Sequence, residues 1–426
     1  MTEPEVFCGT LPSGLRVVHV PGRGAVACCG VAVNVGSRDD APGKHGMAHF
    51  VEHTIFKGTA HRSAWHIINR MESVGGELNA YTTKEGTVVY SIAPNEYLPR
   101  ATELIADLVL NSQFPAAQLQ REREVVMDEA AAYRDTPSEA VYDDFEDMFF
   151  AGSGLGHNIL GNEQHLQSIS SDDCRAYLRT HYVPENMVFF VYGDFPGTKV
   201  MRLAERYFSA ASGTLQRAER RQPPVVQPFN RTININSHQC HTVVGARLFA
   251  LNDPRRYAMA LLNNMLGGPG MNSLLNVQLR ERRGMVYTVE SNMSLMSDCG
   301  LFQIYFGCDP HHLQPCLRIA GNVIQHLAST PLSQRRLDAV KRQYLGQLLV
   351  ASCSGEALAL SAAKQMLYSG TVLSHRQTTD SILAVTPADI VQVAQRLINS
   401  GIKRCAELFG IVQLHPFVGR HAVRFI

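Results

Sequence analysis

Net charge is almost absent from this chain. Its 39 Lys and Arg against 38 Asp and Glu leave +1, so nothing in the composition calls for a nucleic acid or a membrane surface as partner. The basic clusters Arg217-Ala-Glu-Arg-Arg221 and Arg280-Glu-Arg-Arg283 are short and mixed in sign, and the first reads as a solvated face. Ten cysteines are scattered, two of them adjacent at Cys28-Cys29, and no C-x-x-C spacing occurs. That excludes a disulfide framework and a zinc-finger pattern, and it suits free thiols in a reducing compartment. Residues 1–20 lack a basic segment followed by an apolar core, and no apolar run reaches 18 residues. Neither a signal peptide nor a transmembrane helix is expected, which makes the cytoplasm the default location. The glycine-rich stretch Gly267-Gly-Pro-Gly270 has no G-x-x-x-x-G-K-[ST] or G-x-G-x-x-G pattern around it, so a turn or hinge is expected there rather than a phosphate cradle.

What is present is a histidine-rich segment, Lys44-His-Gly-Met-Ala-His49-Phe-Val-Glu52-His53-Thr-Ile-Phe-Lys57. It has helical spacing and no proline after Pro42, which predicts a helix starting near Lys44. At about 3.6 residues per turn, His49 and His53 stand one above the other, with Glu52 on the same side. Two imidazoles so spaced can hold one zinc ion, and the carboxylate beside them can take a proton from water. The order is the reverse of H-E-x-x-H and matches the inverted H-x-x-E-H signature. A catalytic zinc site needs a third protein ligand, usually a carboxylate. The run from Gln118 to Tyr133 is a predicted helix just beyond Pro115, and it places Glu122 and Glu129 seven apart on one face with Glu124 elsewhere.

The H-x-x-E-H segment, followed 76 positions after His53 by Glu129 in Arg121-Glu-Arg-Glu-Val-Val-Met-Asp-Glu129, resembles the pitrilysin, insulysin and mitochondrial processing peptidase family of zinc metallopeptidases. Phe56-Lys-Gly-Thr59 and Asn79-Ala-Tyr-Thr82 belong to the same likeness. The resemblance implies His49, His53 and Glu129 as ligands of one zinc ion per chain, and Glu52 as general base. It implies Glu122 as a carboxylate that orients a ligand. It also implies that substrate adds as a strand to the sheet edge carrying Asn79 and Ala80, a mode that grips backbone and tolerates many side chains. Val51 and Thr54-Ile55 depart from the Leu and Met-Leu that relatives often carry, a difference of packing.

Length and composition, 426 residues and 45% hydrophobic, predict two domains. In the first half, 10–20 reads as a turn feeding a strand and Val26–Asn34 as a second, nearly all-apolar strand. A second helix follows from Ser63 to about Val74, ended by Gly75-Gly76. Segments 77–83 and 86–92 form a hairpin around Lys84-Glu85. Helices are expected at 96–112, 116–134, 138–150, 173–182 and 198–208, with a strand near 187–192. The Pro- and Gln-rich segment 211–229 separates a catalytic domain, 1–210, from a domain of similar element order, 230–426. In that second half, strands are expected at 232–236 and 242–250, helices at 255–266 and through Arg283, and a hairpin at 287–296 and 300–308. The expected fold class is α+β, two similar halves, each a mostly antiparallel sheet backed by helices.

The second half has no H-x-x-E-H. Its stretch from Leu279 to Tyr287 resembles the family's Arg and Tyr signature, which implies that Arg280 and Tyr287 contact substrate. By spacing alone they are a helix-end arginine and a strand tyrosine. The stretch 268–272 is a looser version of the family's glycine-rich segment. The resemblance further implies a closed chamber for unstructured peptides and pairing of chains into a clamshell, either as a homodimer or as a heterodimer with a paralogue. Rival readings are a non-catalytic core-subunit-like scaffold, and one subunit of a dedicated leader-peptide processing enzyme. His157 and His165 show no partner pattern and read as surface or core residues, whereas His45 and His61 flank the zinc helix, where direct contact with substrate is the minor reading for each.

Overall fold

A computed structural model describes residues 5–215, 220–225, 227–235, 237–399 and 411–416, the last segment as backbone only. Arg217 and Glu219 of the first basic cluster, and Asn236 at the end of an expected strand, lie outside the described residues.

The first sheet has six strands: β1 (Phe7–Thr10), β2 (Arg16–Pro21), β3 (Val26–Val33), β4 (Glu77–Thr82), β5 (Thr87–Pro94) and β6 (Met187–Gly193). Their order is β1-β2-β6-β3-β5-β4, antiparallel throughout except for β2 against β6. The β4–β5 hairpin leaves β4 at the edge, and its residues beyond Glu77 are half-buried. The second sheet has β7 (Asn230–Ile235), β8 (Cys240–Leu248), β9 (Val286–Leu295), β10 (Gly300–Cys308) and β11 (Ile411–Pro416), in the order β7-β11-β8-β10-β9. Here only β11 against β7 is parallel. Strand for strand, β9-β10-β8-β11-β7 repeats β4-β5-β3-β6-β2, so the recurrence of element order seen in the sequence is a recurrence of topology, with β1 added to the first sheet.

The first eight helices are α1 (Met47–Thr54), α2 (Ala64–Glu72), α3 (Leu98–Asn111), α4 (Ala116–Arg134), α5 (Pro137–Phe149), α6 (Glu163–Ser168), α7 (Ser171–His181) and α8 (Gly197–Phe208). Six more follow among the described residues: α9 (Arg256–Gly267), α10 (Leu313–Ser329), α11 (Gln334–Ala351), α12 (Gly355–Ser369), α13 (His375–Leu383) and α14 (Pro387–Leu397). Among the described residues, no single helix is long and apolar enough to cross a membrane.

The chain folds as two compact units, and they do not follow a single cut at 211–229. One unit takes residues 1–130, 153–221 and 346–378, and the other takes 131–152, 222–345 and 379–426. The reason lies in which helix covers which sheet. On one face of the first sheet, Leu98, Ala101, Leu104, Ile105 and Leu108 repeat along α3 at helical spacing and join Cys29, Val31 and Val33 of β3 in the main core. The other face is covered by α12, whose Ala359, Ala362, Ala363, Met366 and Leu367 lie on Val18, Ala32, Val88 and Phe190. Both faces of β3 are therefore buried, which accounts for its unbroken apolar run. Reciprocally, α5 of the first half packs on β8 and β11. A Cβ at Gly245 of β8 would stand 2.3 Å from the Phe145 ring, so glycine is required there.

Several boundaries differ from expectation for local reasons. Helix α1 begins at Met47 rather than Lys44, because Gly46 precedes it in a left-handed conformation with φ of 95°. No side chain caps it from that position. Instead the buried Asp40 accepts from the backbone N–H of Gly46 at 2.8 Å and of Ala48 at 3.0 Å. This satisfies donors that a helix start leaves free. Ser63 does precede α2, but its hydroxyl pairs with the His66 ring at 2.8 Å and makes no cap. The helix expected through Arg283 is a π-helical turn, Asn276–Glu281.

Candidate metal centre

Helices α1 and α4 build this site within the first unit. On α1, Phe50 and Val51 are fully buried and fix its rotation, which turns His49, Glu52 and His53 to one side. On α4, Leu119, Glu122 and Val126 are buried at helical spacing, and Glu129 continues that face. Ligand atoms of His49, His53 and Glu129 all lie within 4.8 Å of one another. Nε2 of His53 stands 3.3 Å from Glu129 Oε2, and Nε2 of His49 stands 3.8 Å from the same oxygen. Glu52 reaches within 3.9 Å of His49 Nε2.

The surroundings set the charge states. Burial, with the neighbouring His53 ring, pushes the His49 imidazole down to about 3, so it is neutral at ordinary pH. Its buried Nδ1 has no hydrogen-bond partner among the described residues. Burial pushes the Glu52 carboxyl up, as does Glu129, while His53 and the Thr82 hydroxyl pull it down. His53 gives its Nδ1–H to Glu122 at 3.1 Å, and Lys57 Nζ pairs with the other Glu122 oxygen at 2.7 Å. With that proton directed at Glu122, Nε2 of His53 faces Nε2 of His49 and the Glu129 oxygen. A divalent cation is the species that satisfies all three, and two imidazoles with one carboxylate suit zinc. The residues therefore fit the metal that their spacing suggested.

The edge strand β4 lies against α1. Asn79 and Ala80 stand on it, half-buried and paired with Tyr90 and Val89. Thr82, at its end, donates to Glu52 Oε2 at 3.3 Å. Arg280 and Tyr287 belong to the second unit. Arg280 is exposed and lines a cavity of about 320 Å³ with Asn263, Gly267, Gly270 and Glu290. Tyr287 is 58% exposed at the start of the edge strand β9.

Lys57, Thr82 and Asp40 are the residues that the sequence did not mark with a role. The first two sit inside stretches already singled out. Asp40 carries no fixed offset from the helix it supports. His45 stacks on His157 with ring centroids 4.0 Å apart, with His165 edge-on at 5.0 Å. This cluster ties the 155–161 loop to the segment before α1. A second potential metal group, Asp309, His311 and His312, is more open, and neither imidazole is oriented by a hydrogen bond among the described residues.

Comparison with known proteins finds relatives along most of the chain. The model of the insulinase family, peptidase family M16, matches residues 17–163, and the model of the M16 inactive domain matches residues 168–344. A protein of Streptomyces coelicolor described as an uncharacterized zinc protease is 33% identical over 92% of this chain and 86% of its own. One of Bacillus subtilis with the same description is 30% identical over 88% and 90%. The beta subunit of the mitochondrial processing peptidase of Lentinula edodes is 28% identical over 92% and 87%. Among solved structures, a protease from Helicobacter pylori matches with a TM-score of 0.87 at 22% identity, over 97% of this chain and all of that one. An M16 inactive domain from Pseudomonas fluorescens matches with the same score at 19% identity, over 98% and 100%.

Proposed function

The chain belongs to the M16, or insulinase, family of zinc peptidases, and from that premise we propose that it is an endopeptidase that hydrolyses unstructured peptides. The observation that carries this reading is the convergence of His49, His53 and Glu129 beside a buried Glu52 that is hydrogen-bonded to the edge strand. A zinc ion held by those three residues would polarise the scissile carbonyl and make water more acidic. Every other step falls to the chain itself. An extended peptide adds to β4 beside Asn79 and Ala80, its backbone pairing with the free edge. Glu52 accepts the proton of the attacking water and then delivers it to the leaving amine. Its raised affinity for protons, caused by burial, suits a group that must both take and give one. Arg280 would hold a substrate carbonyl or carboxylate, and Tyr287 would donate to the developing oxyanion.

The same reading includes a chamber formed by two chains in a clamshell. One chain carries both the ligand set and the Arg280 and Tyr287 pair, so a homodimer supplies every part. The likeness to a processing-peptidase beta subunit favours a second reading, in which this chain works beside a paralogue and trims leader peptides. A non-catalytic scaffold is disfavoured because His49, Glu52, His53 and Glu129 are all retained and gathered. The test is a panel of unstructured peptides and one folded protein offered to the zinc-loaded enzyme. Cleavage of the peptides alone, abolished by a chelator and restored by zinc, supports the proposal. Cleavage that survives full removal of metal contradicts it.

A further inference from the structure

Lys57 ends the short 3-10 turn Ile55–Lys57 that follows α1 directly. Its ammonium reaches across to α4, 2.7 Å from Glu122 Oε2, while Glu122 Oε1 is 3.1 Å from His53 Nδ1. The Glu122 side chain is only 10% exposed. A carboxylate buried to that degree needs compensation for each oxygen, or it turns toward water or neutralises. Its two oxygens have these two partners, one from the helix that bears His49 and His53 and one from the turn that closes it.

We propose that Lys57 is a positioning residue for the metal centre, acting through Glu122 on His53. The proposal rests on the metallopeptidase reading above. The cation occupies one carboxylate oxygen and so fixes the plane of the carboxylate. The other oxygen is then aimed at Nδ1–H of His53, which holds the ring in the tautomer whose Nε2 lone pair faces His49 and Glu129. Groups that hold the far side of a metal-binding imidazole set both its orientation and its basicity. The residue type matters. Lysine is a compact point charge that can engage one oxygen and leave the second free. An arginine fork prefers both oxygens of a carboxylate, and here it would compete with His53 for Glu122. The lysine is also local, because the turn that carries it continues the helix bearing His53, four positions before it.

The experiment measures equilibrium zinc affinity of the metal-stripped full chain by competition with a chromophoric chelator. It compares wild type, Lys57→Gln, Lys57→Arg, Glu122→Gln, the Lys57→Gln/Glu122→Gln double variant and His53→Ala. Thermal unfolding of each metal-free protein is followed alongside. Removing such a support typically weakens metal binding about 10- to 100-fold. Lys57→Gln is expected to lose about that much while its metal-free unfolding midpoint stays near wild type. Lys57→Arg is expected to rescue only in part. In the Glu122→Gln background, Lys57→Gln should cost little more, because the lysine acts through that carboxylate. Three results each overturn the inference: zinc affinity of Lys57→Gln equal to wild type, a loss that adds in full to that of Glu122→Gln, or complete rescue by arginine. If wild type binds no zinc, or His53→Ala binds it as tightly as wild type, the metallopeptidase reading itself fails.

Discussion

A general base has to be close enough to water to be ionised and buried enough to hold a proton, and Glu52 is placed between those demands. Burial raises its proton affinity while the Thr82 hydroxyl and His53 lower it. Thr82 is therefore more than a strand residue, because it couples the edge where peptide is expected to bind to the carboxylate expected to act. Thr82→Val removes that hydroxyl donor and lets the Glu52 pKa rise. Since the base works only when ionised, the acid limb of the kcat/KM profile should move to higher pH, with zinc content unchanged. A pH profile superimposable on wild type would show that the 3.3 Å contact has no part in setting the base.

Helices decide the architecture in a way that chain order conceals. α12 comes from the second half of the sequence yet covers the first sheet with Ala359, Ala362, Ala363 and Met366. The small residues let helix and sheet approach closely. Ala363→Asp would bury an unpaired carboxylate there, at a cost of about 3 kcal/mol or more. It should lower the unfolding midpoint although it lies far along the chain from every proposed ligand. Urea unfolding measures this, and an unchanged midpoint would mean that α12 does not cover that sheet in solution. Strands β2 to β6, the β4–β5 hairpin and α4 were legible in the sequence, because their periodicities and turns are local signals; β1 and the order of the strands were not. The bounds of α4, residues 116–134, were read without error. The partner of α12 was not legible, since an apolar stripe says that a helix is buried and not which sheet buries it. β11, lying between β7 and β8, was missed because a strand at the end of the chain pairs with segments nearly two hundred positions away. The cap of α1 was missed for a related reason: Asp40 acts from outside the usual capping position, where Gly46 stands.

For the whole molecule, the metal and the fold are expected to be coupled. The three ligands come from two helices separated by two strands and two further helices, so an ion bound to the native state alone stabilises all of that structure together. At a free zinc concentration 100 times Kd the gain is about 2.7 kcal/mol, and calorimetry should show a higher unfolding midpoint for the zinc-loaded than for the stripped protein. Equal midpoints would argue against a zinc site that joins α1 to α4. The site was more legible than the fold around it. His49, Glu52, His53, Glu122 and Glu129 were all readable from helical spacing and resemblance, and they meet in space. What the spacing alone leaves unsaid is the support that Lys57 and Thr82 give to Glu122 and Glu52.

The most direct test of the account compares wild type with Glu52→Gln, both loaded with zinc, on an unstructured peptide of about twenty residues, a length suited to a strand laid along a sheet edge. The substitution keeps size and leaves His49, His53 and Glu129 in place. The account predicts equal zinc content and a rate lower by on the order of 100-fold or more. A Glu52→Gln protein that binds zinc and cleaves as fast as wild type would contradict it.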